Sequence, residues 1–183
     1  PNFHMARGTR LEPLINAAFQ KQLGVDILDY QVLINEKTPH FSYSPDGIGQ
    51  YEDGRRFLVE YKAPVKYYPS IPESYRAQIQ FGMYMFQRSK FARSDQDFTE
   101  CHFVQGKEMA DGSIELRHEL VFYDDEYAQF LVRESLRVWN ECFVPYSILK
   151  KEGLVDEKLA VIGGRIKIPF KDPMKNCPFY FKK

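Results

Sequence analysis

By residue type and spacing, the most chemically specific positions in this chain are Asp46, Glu60 and Lys62. Two carboxylates can hold a hard divalent cation, and an ammonium beside them can help to activate a water. Asp46 sits in Ser44-Pro45-Asp46-Gly47, and the other two in Glu60-Tyr61-Lys62. Alternate residues of a strand share a face, so Leu58, Glu60 and Lys62 point the same way. Blander readings exist for each residue. An aspartate before glycine is a common turn residue, and Glu60 with Lys62 would also suit a solvent face carrying a cross-strand ion pair.

Those side chains need elements that bring them together. Phe41–Tyr43 and Arg56–Lys62 read as strands, with the polar stretch Gly49-Gln50-Tyr51-Glu52-Asp53-Gly54 as the turn between them. Such a hairpin would return Asp46 to the side of Glu60. Before it, Thr9–Leu23 reads as a helix through Leu11, Leu14, Ile15, Ala18, Phe19 and Leu23, with Pro13 in its first turn and Gly24 as its stop. Val32–Asn35 is expected as a short strand. Beyond the break at Ala63-Pro64, a loop over residues 64–72 holds Lys66, Tyr67 and Tyr68. A second helix then runs from about Pro72 to Arg88, with Tyr75, Ile79, Met83 and Phe86 on one stripe. Phe98–Val104 and Ile114–Tyr123 read as strands paired through Ala110-Asp111-Gly112-Ser113, and Asp124–Phe143 as a third helix with an acidic first turn. The tail is expected to hold a short helix over Lys150–Leu159 and an aromatic, basic extension over Asn176–Lys183.

Bulk composition narrows the classes. A chain of 183 residues points to one domain, and 44% hydrophobic residues are enough for a packed core. Apolar runs are short and interrupted, so no membrane span is expected, and no secretory signal is visible. The first residue is proline, so the natural start is expected to lie upstream. Cys101, Cys142 and Cys177 are widely spaced, which argues against a disulfide framework or a thiolate cluster and suits a reducing, intracellular setting. The charge balance of 25 basic and 25 acidic residues argues against a general nucleic-acid coat, though not against a local positive groove.

The Pro45-Asp46 and Glu60-Tyr61-Lys62 strings resemble the signature of the PD-(D/E)XK nuclease superfamily. Two further stretches resemble its lambda-exonuclease and YqaJ-like viral recombinase branch: Arg7-Gly8-Thr9-Arg10-Leu11-Glu12-Pro13, and Tyr75-Arg76-Ala77-Gln78-Ile79-Gln80-Phe81. The resemblance spans about Arg7 to Phe143. It implies a mixed α/β (α+β) fold with a restriction-endonuclease-like core, a central mixed β-sheet flanked by helices. Residues 1–143 would form that core, and 144–183 an extension on the core or on a neighbouring subunit. The family's N-terminal arginine for a 5′-phosphate has no counterpart here.

By that resemblance, Asp46, Glu60, the Tyr61 carbonyl and Glu12 would hold Mg²⁺, with Mn²⁺ as a substitute, and Lys62 would orient or deprotonate the attacking water. Thr9 and Glu12 also fit a capping box, which offers a structural role for the same glutamate. Ser44 and Gln78 would face phosphate. Arg7, Arg10, Lys66 and Arg76, near the motifs, are the candidate DNA contacts. Tyr67 and Tyr68 suit either base stacking or loop packing, with packing favoured. The activity implied is Mg²⁺-dependent, 5′-to-3′ exonuclease action on linear double-stranded DNA in phage-type recombination or repair. Its implied partners are duplex DNA ends, a single-strand annealing protein and other copies of the chain in a ring, with no membrane. The setting would be cytoplasmic in phage or bacteria, or nuclear for a eukaryotic virus. Rival readings are a restriction- or repair-type endonuclease on the same core and a non-catalytic DNA-binding module.

Overall fold

The computed structural model describes residues 3–28, 32–34 and 41–144, with short pieces at 147, 151, 161–162 and 165–166. The chain divides into two compact units, Pro1–Ala128 and Gln129–Lys183. In chain order the elements are α1 (Phe3–Leu23), β1 (Ile27–Leu28), β2 (Leu33–Ile34), β3 (Ser42–Tyr43), β4 (Gly47–Gln50) and β5 (Arg56–Lys62). Then come α2 (Glu73–Gln87), β6 (Glu100–Glu108), β7 (Ile114–Phe122) and α3 (Asp125–Val138), which passes into a π-helical turn, Trp139–Phe143. In the second unit β8 (Val161–Ile162) pairs antiparallel with β9 (Arg165–Ile166). The expected terminal extension, and all of the expected 150–159 helix except Lys151, lie outside the described residues.

The first unit is built on a mixed five-stranded sheet in the order β1-β4-β5-β6-β7. β5 and β6 run parallel, and the other neighbours are antiparallel. β2 and β3 form a separate antiparallel pair. A parallel pair needs a crossover, and α2 lies between β5 and β6 in the chain. This is the mixed sheet with flanking helices that the sequence led us to expect.

The two faces of β5 are dressed differently. Phe57, Val59 and Tyr61 join Leu11, Ile15 and Phe19 of α1, with Ile27 and Val104, in one buried cluster. Leu58, Glu60 and Lys62 face the α2 side, where Gln78 bonds Glu60 and Tyr75 packs on Phe103. Residues 57–61 are all buried, so β5 is a central strand covered on both faces.

Two expectations need correction. The helix α1 starts at Phe3, not Thr9, and Pro13 stands inside it. An interior proline costs about 3 kcal/mol. Leu11, Ile15 and Phe19 are wholly buried, and each contributes about 1.5–3 kcal/mol, so packing outweighs the lost bond. Thr9 therefore caps nothing; its hydroxyl donates to the Met5 carbonyl one turn back, at 3.1 Å. The capping-box role for Glu12 falls with it.

The second correction concerns the hairpin. The partner of β5 is Gly47–Gln50, not Phe41–Tyr43. Gly49, read as turn chemistry, is a strand residue lying against the Phe57 ring, where any Cβ would collide. The turn proper closes later, through Tyr51 N to Arg55 O at 2.9 Å.

Candidate active site

Asp46 stands at the mouth of β4, one residue before the β4–β5 ladder ends at Gly47 opposite Val59. Its Oδ2 accepts the Tyr61 amide at 2.7 Å. The carboxylate thus extends the ladder by one bond and holds Asp46 against the Glu60–Tyr61 peptide. Glu60 is buried, with 1% of its side chain exposed, whereas Asp46 and Lys62 keep 25% and 21%. Lys62 Nζ is ion-paired with Glu60 Oε1 and lies 4.0 Å from Asp46 Oδ2. The hairpin has therefore brought the three residues together, with Glu60 at the floor and the other two at the opening.

Residues on neighbouring elements fix this group. Gln78 of α2 donates from Nε2 to Glu60 Oε1 at 2.9 Å. The Tyr43 hydroxyl of β3 faces the other oxygen, Oε2, at 3.4 Å. The Tyr75 ring lies under the Lys62 ammonium, 4.8 Å from Nζ to the ring centroid, a cation–π contact. Tyr68 packs on Tyr75 and is itself held by Gln105, whose Oε1 accepts the Tyr68 amide at 2.8 Å. Tyr43 and Tyr75 also belong to this group, though the sequence placed them only in a strand and on the helix stripe that opens the Tyr75–Phe81 motif. The available signal for Tyr43 was a buried hydroxyl in an alternating strand, since such groups seek a partner.

The field at the site is negative. Burial, and then the Asp46 charge, push the Glu60 carboxyl above its ordinary value, against the pull of Lys62. Burial and the charges of Glu60 and Asp46 likewise push up the Tyr43 hydroxyl and the Cys101 thiol. Two carboxylates against one ammonium leave an excess of negative charge that a bound cation would offset. Two carboxylates with a backbone carbonyl suit Mg²⁺, which keeps several of its waters. A larger cage is not assembled: among the described residues, no three His, Cys, Asp or Glu side chains gather to hold a metal.

Glu12 is the remaining expected acid. It is exposed on α1, and its charge is felt at the Tyr61 hydroxyl, which burial and Asp46 also push upward. Arg7 donates to the carbonyls of Ala63 at 3.1 Å and Pro64 at 3.3 Å, tying α1 to the chain just beyond Lys62. Arg10 forms a two-pronged pair with Glu108. Lys66 and Ser44 are exposed, and Arg76 is half-buried in the first turn of α2. Gln78 touches Glu60 directly. Tyr67 and Tyr68 are packing residues, as favoured: the Tyr67 hydroxyl donates to the Glu115 carbonyl at 2.9 Å, and its ring lies under Arg117.

A buried glutamate on a central strand, with an aspartate and a lysine at the opening and helices on both sheet faces, defines a nuclease-like α/β core. The family model for the YqaJ-like viral recombinase domain matches residues 2–113, and the chain belongs to that family. Among solved structures it is similar to an alkaline exonuclease, LHK-Exo, from Laribacter hongkongensis. The TM-score is 0.59 at 20% identity, covering 84% of this chain and 75% of that one. The same protein in complex with dAMP matches with a TM-score of 0.55, also at 20% identity and with the same coverage. These likenesses establish the shared fold. No curated protein matches the chain significantly.

Proposed function

We propose that this chain is a metal-dependent deoxyribonuclease that degrades linear double-stranded DNA from its ends, 5′ to 3′, with Mg²⁺ as its cofactor. The observation that carries the reading is the convergence of Asp46, buried Glu60 and Lys62 at one opening, with Gln78 bonded to Glu60. Family membership and the fold of an alkaline exonuclease support it. The dAMP complex of that relative suggests a mononucleotide product for this chain too.

Asp46, Glu60 and the Tyr61 carbonyl would hold the ion, and Glu12 would orient a water beside it. The ion, when bound, supplies positive charge to the phosphoryl oxygens and acidifies a water. Lys62, at the same place as Asp46 and Glu60, would face the attacking water and the phosphate. Gln78 would keep Glu60 in place. Lys66 and Arg76 would track the phosphate backbone, and Ser44 would meet a phosphate at the rim. Duplex ends are the substrate of this reading. A single-strand annealing protein would be the natural recipient of the exposed strand.

Two measurements test it. The first compares a linear duplex, labelled at either end, with a covalently closed circle, with and without Mg²⁺. Loss of the 5′ label first, only with Mg²⁺ and only from the linear form, is expected. Nicking of the circle would convert the assignment to an endonuclease. The second uses Lys62→Ala, which should keep DNA binding and lose about 10²–10⁴-fold in cleavage rate. Undiminished cleavage would remove Lys62 from the mechanism.

A further inference from the structure

Lys62 shares its face of the sheet with a second cation. In the β5–β6–β7 register Lys62 stands opposite Gln105, and Gln105 opposite Arg117. Residues directly opposite on neighbouring strands share a face, so the three form one row on the α2 side. Strands lie about 4.8 Å apart, which sets the Arg117 Cα about 10 Å from that of Lys62. Gln105 is buried in the middle of the row, and Arg117 is exposed at its end.

The segment that leaves β5 covers this row. Gln105 accepts the Tyr68 amide at 2.8 Å and donates to the Tyr68 carbonyl at 3.4 Å. Tyr68 packs on Tyr75, whose ring lies under Lys62. One residue earlier, the Tyr67 hydroxyl donates to the Glu115 carbonyl at 2.9 Å, and its ring lies 4.5 Å under the Arg117 guanidinium. Two tyrosine rings therefore seat two cations at the two ends of the row. Arg55, Arg56 and Arg88 lie over aromatic rings too, but each is also ion-paired with a carboxylate. Among the described residues Arg117 has no such partner, although Glu115 and Glu119 are exposed two positions away on the same face. A ring engages the flat face of a guanidinium and leaves its in-plane N–H donors for another acceptor.

We propose that Arg117, seated on Tyr67, binds a backbone phosphate of the DNA strand that is cut beside Lys62. The proposal rests on the deoxyribonuclease reading and adds to it a substrate contact that no motif in the sequence singles out. The guanidinium fork matches two phosphate oxygens at once. The ring beneath it holds the side chain in place beforehand, so less freedom is lost on binding. A separation of about 10 Å spans about three phosphates of one strand, at about 3.4 Å of helix axis each. The flanking Glu115 and Glu119 repel further phosphates, so the site suits one phosphate approaching the guanidinium edge-on. Arg117 stands away from the reacting atoms, and its contribution is to hold the strand rather than to cleave it.

The test is fluorescence anisotropy of a labelled linear duplex without Mg²⁺, across a salt series, beside steady-state cleavage of the same duplex with Mg²⁺. Arg117→Ala should raise Kd about tenfold and reduce the slope of log K against log salt by about one. Its loss in cleavage should fall on KM more than on kcat. Arg117→Lys should recover the salt slope but only part of the affinity, because a point charge replaces a planar fork. Tyr67→Leu should weaken binding in the wild-type background and add little to Arg117→Ala, since the ring acts through the arginine. Circular dichroism checks that each variant is folded. An Arg117→Ala chain with unaltered Kd and salt slope, beside a wild type that binds and cuts, would overturn this assignment alone. So would a salt slope that Arg117→Lys fails to recover, or a loss confined to kcat. A wild type that neither binds nor cuts the duplex would overturn the deoxyribonuclease reading and this proposal with it.

Discussion

At the scale of single residues, Glu60 concentrates the conflict between stability and chemistry. It is nearly fully buried, close to Asp46, and held as an anion chiefly by Lys62. Its folded-state pKa is raised above the ordinary 4.5. The ionised form therefore burdens the fold. The stabilising contribution of this carboxyl is complete below about pH 4.5 and is lost as pH rises through its elevated folded value. At neutral pH, Glu60→Gln should raise the Tm while abolishing cleavage, because the amide keeps the shape without the charge. A divalent cation should stabilise the wild type, by about 2.7 kcal/mol at one hundred times its Kd, and leave this variant unmoved. Thermal melts with and without Mg²⁺ check both outcomes; an unchanged or lowered Tm in the variant would contradict the first. The grouping of Asp46, Glu60 and Lys62 was legible in the string, and the three side chains meet in the fold. The burial of Glu60 was not, because alternation along one strand is the same for a solvent face and for a face covered by a helix.

At the scale of elements, the site depends on close approaches that small residues permit. Gly82 of α2 lies against the Tyr43 ring of β3, and a Cβ there would collide with it. Tyr43 in turn faces Glu60. Gly82→Ala should cost about 1–3 kcal/mol by overpacking. It should also lower cleavage by displacing Tyr43, which urea midpoints and initial rates would report together. The other sheet face carries a second polar device. His102 Nε2 meets the Tyr51 hydroxyl at 2.7 Å, and Nδ1 meets His118 Nε2 at 2.7 Å, beside Phe19 of α1. Burial, and then the neighbouring His118, lower His102 to about 4 from 6.5. A depressed histidine contributes stability that is present above about pH 6.5 and lost as pH falls towards 4. Urea midpoints should therefore decline across that window, and His102→Leu should flatten the decline. A slope unchanged by the substitution would place the acid sensitivity elsewhere.

At the scale of the whole molecule, the chain has no net charge, so DNA affinity must come from where its cations sit. Arg10 is paired with Glu108, and Arg7 is spent on backbone carbonyls. Lys66 and Arg76 are thus the better candidates for phosphate contact. Replacing either with alanine should weaken DNA binding without regard to sequence and reduce the slope of log K against log salt by about one. Fluorescence titrations across a salt series would show it, and an unaltered slope would exclude that residue from the interface. Among the described residues, no helix is long and apolar enough to cross a membrane.

The sequence by itself determined the order of the three main helices and the longer strands, the mixed α/β class, the family and the acid–base triplet, because periodicity and motif spacing are local properties of the chain. Only the tertiary structure decided where α1 begins, which strand forms the hairpin with β5, and how deeply Glu60 is buried. Each of those depends on contacts between distant segments. Packing of Leu11, Ile15 and Phe19 overrides a proline, and a glycine read as a turn proves to be the gap into which Phe57 fits. Local propensity yields wherever burial is worth more than the local preference it opposes.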